Sequence, residues 1–265
     1  MKLFYRHYGE GQPLIILHGI FGISDNWVTL GKRLAEKFSV YIPDQRNHGQ
    51  SPHSVTFNYF ALADDLHEFI REHKLEKPMI IGHSMGGKVA MTFALEHPEM
   101  VDKLVVVDIS PRKYPGRNVH FDMISAMMAV NFEAVHSREE VEQLLETSIP
   151  NKRIRLFVMK NLYRKTRTTF DWRLNLEALS ANMDFVFDGV ESSDVYEGPA
   201  LFIRGGRSDY ISDADAPLIK KLFPRAEIQT IEKASHWVHA DAPAELCRLF
   251  SLFLGKECVA PGVED

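Results

Sequence analysis

Short apolar runs punctuate the chain, and each ends in a turn or polar residue. They are LFYRHYG from Leu3, LIILHG from Leu14, FSVYIPD from Phe38, MIIGHS from Met79, LVVVD from Leu104, ALFIRGG from Ala200 and AEIQTIE from Ala226. The run Leu104 to Val107 reads as a buried parallel strand. Between most of these runs lie helical patterns. Apolar residues recur at helical spacing from Asn58 to Leu75, with Asn58 as the N-cap. The stretch GGKVAMTFALEHP is a helix stopped by Pro98. Strands alternating with helices predict an α/β fold, with a mostly parallel sheet and helices on both faces.

One segment breaks the rhythm. From about Pro111 to Gly189 no strand pattern emerges, and four helices are expected instead: HFDMISAMMAVNF, SREEVEQLLETSI, NKRIRLFVMKNLYRK and FDWRLNLEALSANM. Ser137 and Glu140 form a capping box that opens the second. Seventy-odd residues are too many for a loop (about fifteen is already long). The segment therefore reads as a helical cap over the C-terminal edge of the sheet. The expected organisation is a core of residues 1–110 and 190–265 with a cap of residues 111–189, ending in a frayed APGVED tail.

Composition narrows the function classes. With 265 residues, 45% of them hydrophobic, the chain can bury a sizeable core. A net charge of −5 gives no reason to expect a nucleic-acid partner. Cys247 and Cys258 form no CxxC or Cys/His cluster, so neither a disulfide framework nor a zinc site is expected, and a reducing compartment fits. The N-terminus lacks the apolar core of a signal peptide, and no run of ~18 apolar residues suggests a membrane span. A cytoplasmic location is the expectation.

The strongest chemical signal is IIGHSMGGK, which fits G-x-S-x-G with Gly82, Ser84 and Gly86. A strand precedes it and a helix follows, the context a nucleophile elbow requires. Small residues must flank the serine in so tight a turn. The helix N-terminus after it favours developing negative charge. An acyl-transfer site also needs two backbone N–H donors for the oxyanion. One is expected from Met85, and the other from the turn after LHG, at Ile20 rather than Phe21. Late in the chain, ASHWVHADAP offers His236 as the base that a serine hydroxyl needs. His239, three residues on, reads as structural or as a support to the residues of the site.

These motifs, LHGIFG, DQRNHGQS, GHSMGGKVAM, VVVDISP and SHWVHADAP in this order, resemble the α/β-hydrolase superfamily over essentially the whole chain. DNW after HGIFG, together with LFPRAEIQTI before SHWVHAD, narrows the resemblance to YbfF-type serine esterases and their mitochondrial abhydrolase relatives. The resemblance implies a carboxylester or thioester hydrolase with a helical cap and no cofactor or metal. It also implies that Asp44 and Arg46 hold a turn beside the site. Two positions depart from the family pattern. Ser235 replaces the usual glycine before the catalytic histidine, and Asn47 the usual glycine after the arginine.

The acid that orients His236 has two candidates. The superfamily's usual position follows the seventh strand, where IRGGRSDYIS places either Ser208 or Asp209 according to register. The resembling esterases tend to carry a small polar residue there and an Asp after the sixth strand, which matches Asp108. Adjacent strand ends lie ~4.8 Å apart, so either acid can reach. Asp108 is the first choice and Asp209 the alternative.

The expected function is serine-dependent hydrolysis of short- to medium-chain acyl esters or thioesters. A carbon–carbon hydrolase or a cofactor-free haloperoxidase could use the same residues, and a non-catalytic binding module is the rival from another class. Eight basic residues between Lys152 and Arg173, against Asp171 alone, form either a solvated helix face or a surface attractive to anionic acyl groups. The methionines of DMISAMMAV, with Phe121 and Phe132, line an acyl pocket or pack the cap. Trp237 walls the pocket or packs beside it.

Overall fold

The computed structural model describes residues 1–116 and 118–255. Residues 256–265, including Cys258 and the APGVED tail, lie outside the described residues. The central sheet has seven strands: β1 (Tyr5–Tyr8), β2 (Gln12–Leu17), β3 (Phe38–Pro43), β4 (Met79–His83), β5 (Leu104–Val107), and, after an insert, β8 (Ala200–Gly205) and β9 (Ala226–Ile231). Their order is β1-β3-β2-β4-β5-β8-β9, parallel except for β1 against β3. All seven apolar runs read from the sequence are strands of this one sheet.

Each strand side chain points to the face opposite its neighbour's, so the sheet divides its apolar residues between two cores. Leu14, Ile16, Val105, Val107, Leu201 and Ile203 face one side. There they meet α1 (Val28–Leu34) and the C-terminal α11 (Pro243–Leu254). Ile15, Leu17, Leu104, Val106 and Phe202 face the other side. They pack against α2 (Tyr59–Glu72) and α3 (Met85–Glu96). Asn58 caps α2 as expected, its side chain accepting from Ala61 N at 2.9 Å. Cys247 is buried on α11.

Between β5 and β8 the chain forms α4 (Asn118–Met128), α5 (Arg138–Glu146), α6 (Lys152–Val158), α7 (Leu176–Ala181) and α8 (Met183–Phe187). It also forms a hairpin of β6 (Leu162–Arg164) and β7 (Phe170–Trp172), which the helical reading missed. Thr166 and Thr169 close its turn, with Thr166 N and Lys165 N donating to Thr169 O. Phe170 and Trp172 are buried while Asp171 between them is not, a period-2 pattern too short to stand out beside its helical neighbours. At α5, Ser137 accepts from Glu140 N at 3.1 Å, but the return bond from Glu140 Oε2 takes His136 N instead of Ser137 N. Short helices α9 (Ala216–Leu222) and α10 (Val238–Asp241) follow β8 and β9 in turn.

The two ends of the insert are pinned together beneath it. Val190 N donates to Pro111 O at 2.7 Å and Tyr114 N to Phe187 O at 2.8 Å. The fully buried Lys88 of α3 donates through Nζ to Arg112 O and Asp188 O, one carbonyl from each end. Among the described residues no helix is long and apolar enough to cross a membrane.

Candidate active site

The turn at Ser84 is built from glycines on both sides. A Cβ on Gly82 would sit 2.2 Å from Gly86 O, and one on Gly86 would sit 2.5 Å from Leu17 O. Only the absence of side chains lets β4 turn into α3 against the neighbouring β2. Ser84 itself takes φ 53° and ψ −121°, a backbone state that an L-residue adopts at a cost of about 1–3 kcal/mol. Its N–H donates to Val107 O at 3.0 Å, which ties the strained turn to β5.

Ser84, Asp108 and His236 come from three separate turns at the same edge of the sheet. His236 Nε2 lies 3.0 Å from Ser84 Oγ, and His236 Nδ1 lies 2.7 Å from Asp108 Oδ2. Asp108 ends β5 with φ 51° and is completely buried. Its Oδ1 accepts from Gly205 N at 2.8 Å, and Oδ2 also accepts the Ser208 hydroxyl. Three donors, Gly205 N, the Ser208 hydroxyl and His236 Nδ1, therefore surround one buried carboxylate. Of the two candidate acids, it is Asp108 that meets His236. Ser208 occupies the equivalent place after β8, while the carbonyl of its neighbour Asp209 accepts from Arg112 Nη2 at 3.2 Å. The His236 ring stacks on Tyr210 at 3.8 Å, and the His236 carbonyl accepts from His83 Nε2 at 2.8 Å. Neither Tyr210 nor His83 stood out in the sequence, because both support His236 across long chain separations.

The turn after β2 is clamped around Phe21. Its φ is 58°. Its N–H donates to His48 Nε2 at 3.2 Å, and its carbonyl accepts from Asn161 Nδ2 at 2.8 Å. Gly22 N is used by Gly19 O at 2.9 Å. These bonds occupy the N–H groups of Phe21 and Gly22, the two that follow Ile20. His48 Nδ1 bonds to Arg46 O at 2.9 Å, so its Nε2 is left as an acceptor. Asn161 follows α6, which makes the insert a partner of this turn.

The two departures from the family pattern have local explanations. Asn47 sits at φ 65°, a left-handed state that glycine or asparagine tolerates. Its Oδ1 accepts from Ser54 N at 2.7 Å and from Asn175 Nδ2 at 3.1 Å. Ser235 N donates to Asp241 Oδ2 at 2.8 Å, fixing the approach to His236. Asp44 accepts from Ser24 N at 2.6 Å and from Gln50 N at 2.9 Å, while Arg46 pairs with buried Asp65.

A cavity of about 180 Å³ opens above Ser84 and His236, lined among others by Ile20, Phe21, Met123, Phe157 and Trp237. Met123 is the methionine of DMISAMMAV that reaches it; Met127 packs in the core, Met128 is exposed and Phe132 stacks edge-on to Trp172. Trp237 meets Phe157 edge-to-face at 4.2 Å. His239 stacks on Trp27 at 4.5 Å instead of touching Ser84. Among the described residues, no group of three or more His, Cys, Asp or Glu could hold a metal ion.

Burial holds His18 at about 4 and His48 at about 3, and pulls His83 well below its ordinary range. His18 and His48 each use one nitrogen as donor and one as acceptor to the backbone. The unfolded imidazoles take up protons below about pH 6.5, whereas the folded ones resist to about 4 and about 3. Stability therefore falls as pH drops from 6.5 toward 4. The expected loss at pH 5.5, relative to pH 7.5, is about 2–3 kcal/mol from this pair. Urea unfolding at the two pH values checks it, and equal midpoints would contradict it.

The fold and this edge-of-sheet constellation define the class. The chain belongs to the α/β-hydrolase fold family, whose model matches residues 12–243. It is 39% identical over 252 residues to the sn-1-specific diacylglycerol lipase ABHD11 of Danio rerio, covering 93% of this chain and 79% of that one. It is 32% identical to Esterase YbfF of Escherichia coli, over 92% of this chain and 94% of the relative. Among solved structures, a marine microorganism esterase superposes with a TM-score of 0.93 at 43% identity, over 95% of this chain and 99% of the other.

Proposed function

We propose that the protein is a serine esterase for short acyl esters or thioesters, working through a Ser84–His236–Asp108 triad. The observation that carries this reading is the His236 ring bridging Ser84 Oγ at 3.0 Å and Asp108 Oδ2 at 2.7 Å. Relatives named esterase and lipase support an ester as the scissile bond.

Ser84 Oγ attacks the acyl carbonyl as His236 Nε2 removes its proton. Asp108 accepts from Nδ1–H, which presents Nε2 to the serine and stabilises the imidazolium. The N–H groups of Ile20 and Met85 hold the oxyanion, aided by the N-terminus of α3. Collapse breaks the bond to the alcohol or thiol, which leaves with the proton from His236. Water then adds to the acyl-enzyme as His236 takes its proton. The Ser84 ester bond breaks, and the proton returns to Ser84. The insert between β5 and β8 acts as the cap, walling the acyl cavity through Met123 and Phe157.

The cavity limits the acyl group. A dry cavity near 150 Å³ holds benzene, so about 180 Å³ suits roughly six carbons. Across p-nitrophenyl esters from acetate to laurate, kcat/KM is expected to peak at or below six carbons. It should fall at least tenfold by twelve. A maximum at twelve carbons would overturn the short-acyl assignment.

The Phe21 clamp yields a second expectation. Asn161→Ala frees the Phe21 carbonyl and loosens the turn that presents Ile20 N–H. Removing an oxyanion donor outright costs about 10²–10³ in kcat, so disturbing its support is expected to lower kcat roughly tenfold with KM little changed. A trifluoromethyl ketone, which captures the tetrahedral geometry, should weaken by the same factor. Unchanged kcat and unchanged inhibitor affinity would sink this role.

A further inference from the structure

A second recess of about 350 Å³ adjoins the catalytic cavity. The two spaces share Asn26, Phe157, Trp237 and His239 as walls. Three cationic side chains line the outer one: Arg33 of α1, Arg153 of α6 and Lys160 just beyond it. Asp241 pairs with Arg153 and is held by Ser235, so it offsets one of the three charges. Arg33 and Lys160 pair with no acid among the described residues. Arg33 Nη1 is moreover shielded from solvent with no hydrogen-bond partner. That buried nitrogen holds the guanidinium in place, and the half-buried side chain presents its positive charge to the recess. Leu30, Leu156 and Pro243 give the same recess an apolar side. Its chemistry is therefore that of a short hydrocarbon segment ending in an anion.

The wall between the spaces registers the same field. His239 is held neutral, at about 3, by burial first, with His236, Lys160 and Arg153 adding to the effect and Asp241 opposing it. The basic run read from the sequence is otherwise largely consumed. Arg155 pairs with Glu146 at 2.8 Å, Lys165 pairs with Asp171 at 2.7 Å, and Arg164 and Arg173 lie over Phe170 and Tyr163. Lys160 is the member of that run left to face the recess together with Arg33.

We propose that this basic recess is a substrate subsite that binds an anionic group carried by the ester, so that the enzyme prefers carboxylate-bearing esters to their neutral counterparts. The proposal rests on the esterase reading and deepens it by naming the substrate class. The anion can arrive on either half of the ester, and two substrate pairs separate the cases. For the acyl half, p-nitrophenyl hydrogen glutarate is compared with p-nitrophenyl valerate. For the alcohol half, 4-carboxyphenyl butyrate is compared with 4-carbamoylphenyl butyrate.

The expected result is a ratio of kcat/KM, anionic over neutral, of roughly ten in one of the two pairs. Raising the salt concentration should shrink it, because the recess is open to solvent. In the Arg33→Gln/Lys160→Gln double variant the ratio should fall to about one, and Lys160→Gln alone should lower it partway. A general loss of structure would change both esters of a pair together and leave the ratio intact. Ratios at or below one in both pairs, or a wild-type ratio preserved in the double variant, would overturn the subsite. Failure to hydrolyse any of the four esters would instead overturn the esterase reading.

Discussion

Ser84→Ala is expected to lower kcat for p-nitrophenyl acetate by roughly a million-fold, the scale seen when a triad nucleophile is removed. The residual rate would come from the oxyanion donors and the cavity alone. The substitution keeps the Cβ, so the turn at φ 53° carries the same backbone strain before and after. The hydrogen bond lost is the one to His236 Nε2 at 3.0 Å. Stability should therefore change by no more than about 1 kcal/mol. A purified Ser84→Ala protein with an unaltered melting temperature and undiminished turnover would remove Ser84 from the chemistry.

The second large effect separates the two acids. Asp108→Asn is expected to lower kcat by about 10⁴, because an amide can present its NH₂ to His236 Nδ1 and favour the wrong tautomer. The same change places an amide before Gly205 N–H and the Ser208 hydroxyl, which now share one acceptor oxygen where the carboxylate offered two. A stability cost of about 1–3 kcal/mol should accompany the kinetic loss. Asp209→Asn is expected to leave kcat within about threefold, since the His236 Nδ1 bond goes to Asp108 at 2.7 Å. The measurement is kcat for both variants under identical conditions. A large loss confined to Asp209→Asn would move the acid to the end of β8.

What could be read from the sequence depended on how local the cause was. The elbow around Ser84 is written in five consecutive residues, because the clash that excludes side chains at Gly82 and Gly86 is between close neighbours and β2. The strands were legible for a similar reason, since burial on both faces leaves unbroken apolar runs. The acid was ambiguous in the sequence because β5 and β8 are adjacent strands and an Asp follows each of them, directly at Asp108 and four residues on at Asp209. What tips the balance is Ser208, whose hydroxyl supports Asp108 from the place the superfamily usually gives to an acid. His48 and Asn161 escaped notice because they meet Phe21 across 27 and 140 residues, and no spacing encodes such a contact. The hairpin at β6 and β7 was missed because three-residue strands carry too little periodicity to separate from amphipathic helix.

The asparagine in DQRNHG shows how a departure from a family pattern can carry the same backbone instruction. Glycine and asparagine both tolerate φ 65°, and the asparagine adds bonds to Ser54 and Asn175. Through Asn175 and Asn161, the insert holds both turns that frame the proposed oxyanion site. The insert thus bonds to these turns as well as lining the cavity above Ser84, which is why, on the proposed mechanism, a change at Asn161 is expected to appear in kcat.

The central assignment is that Ser84 is a nucleophile activated by His236. Treating the folded protein with a fluorophosphonate and locating the adduct by peptide mass spectrometry tests it most directly. A single adduct on Ser84 in the wild type, with labelling slowed at least a thousand-fold in His236→Ala, is the expected result. An adduct on another residue, or no adduct on folded wild-type protein, would contradict it.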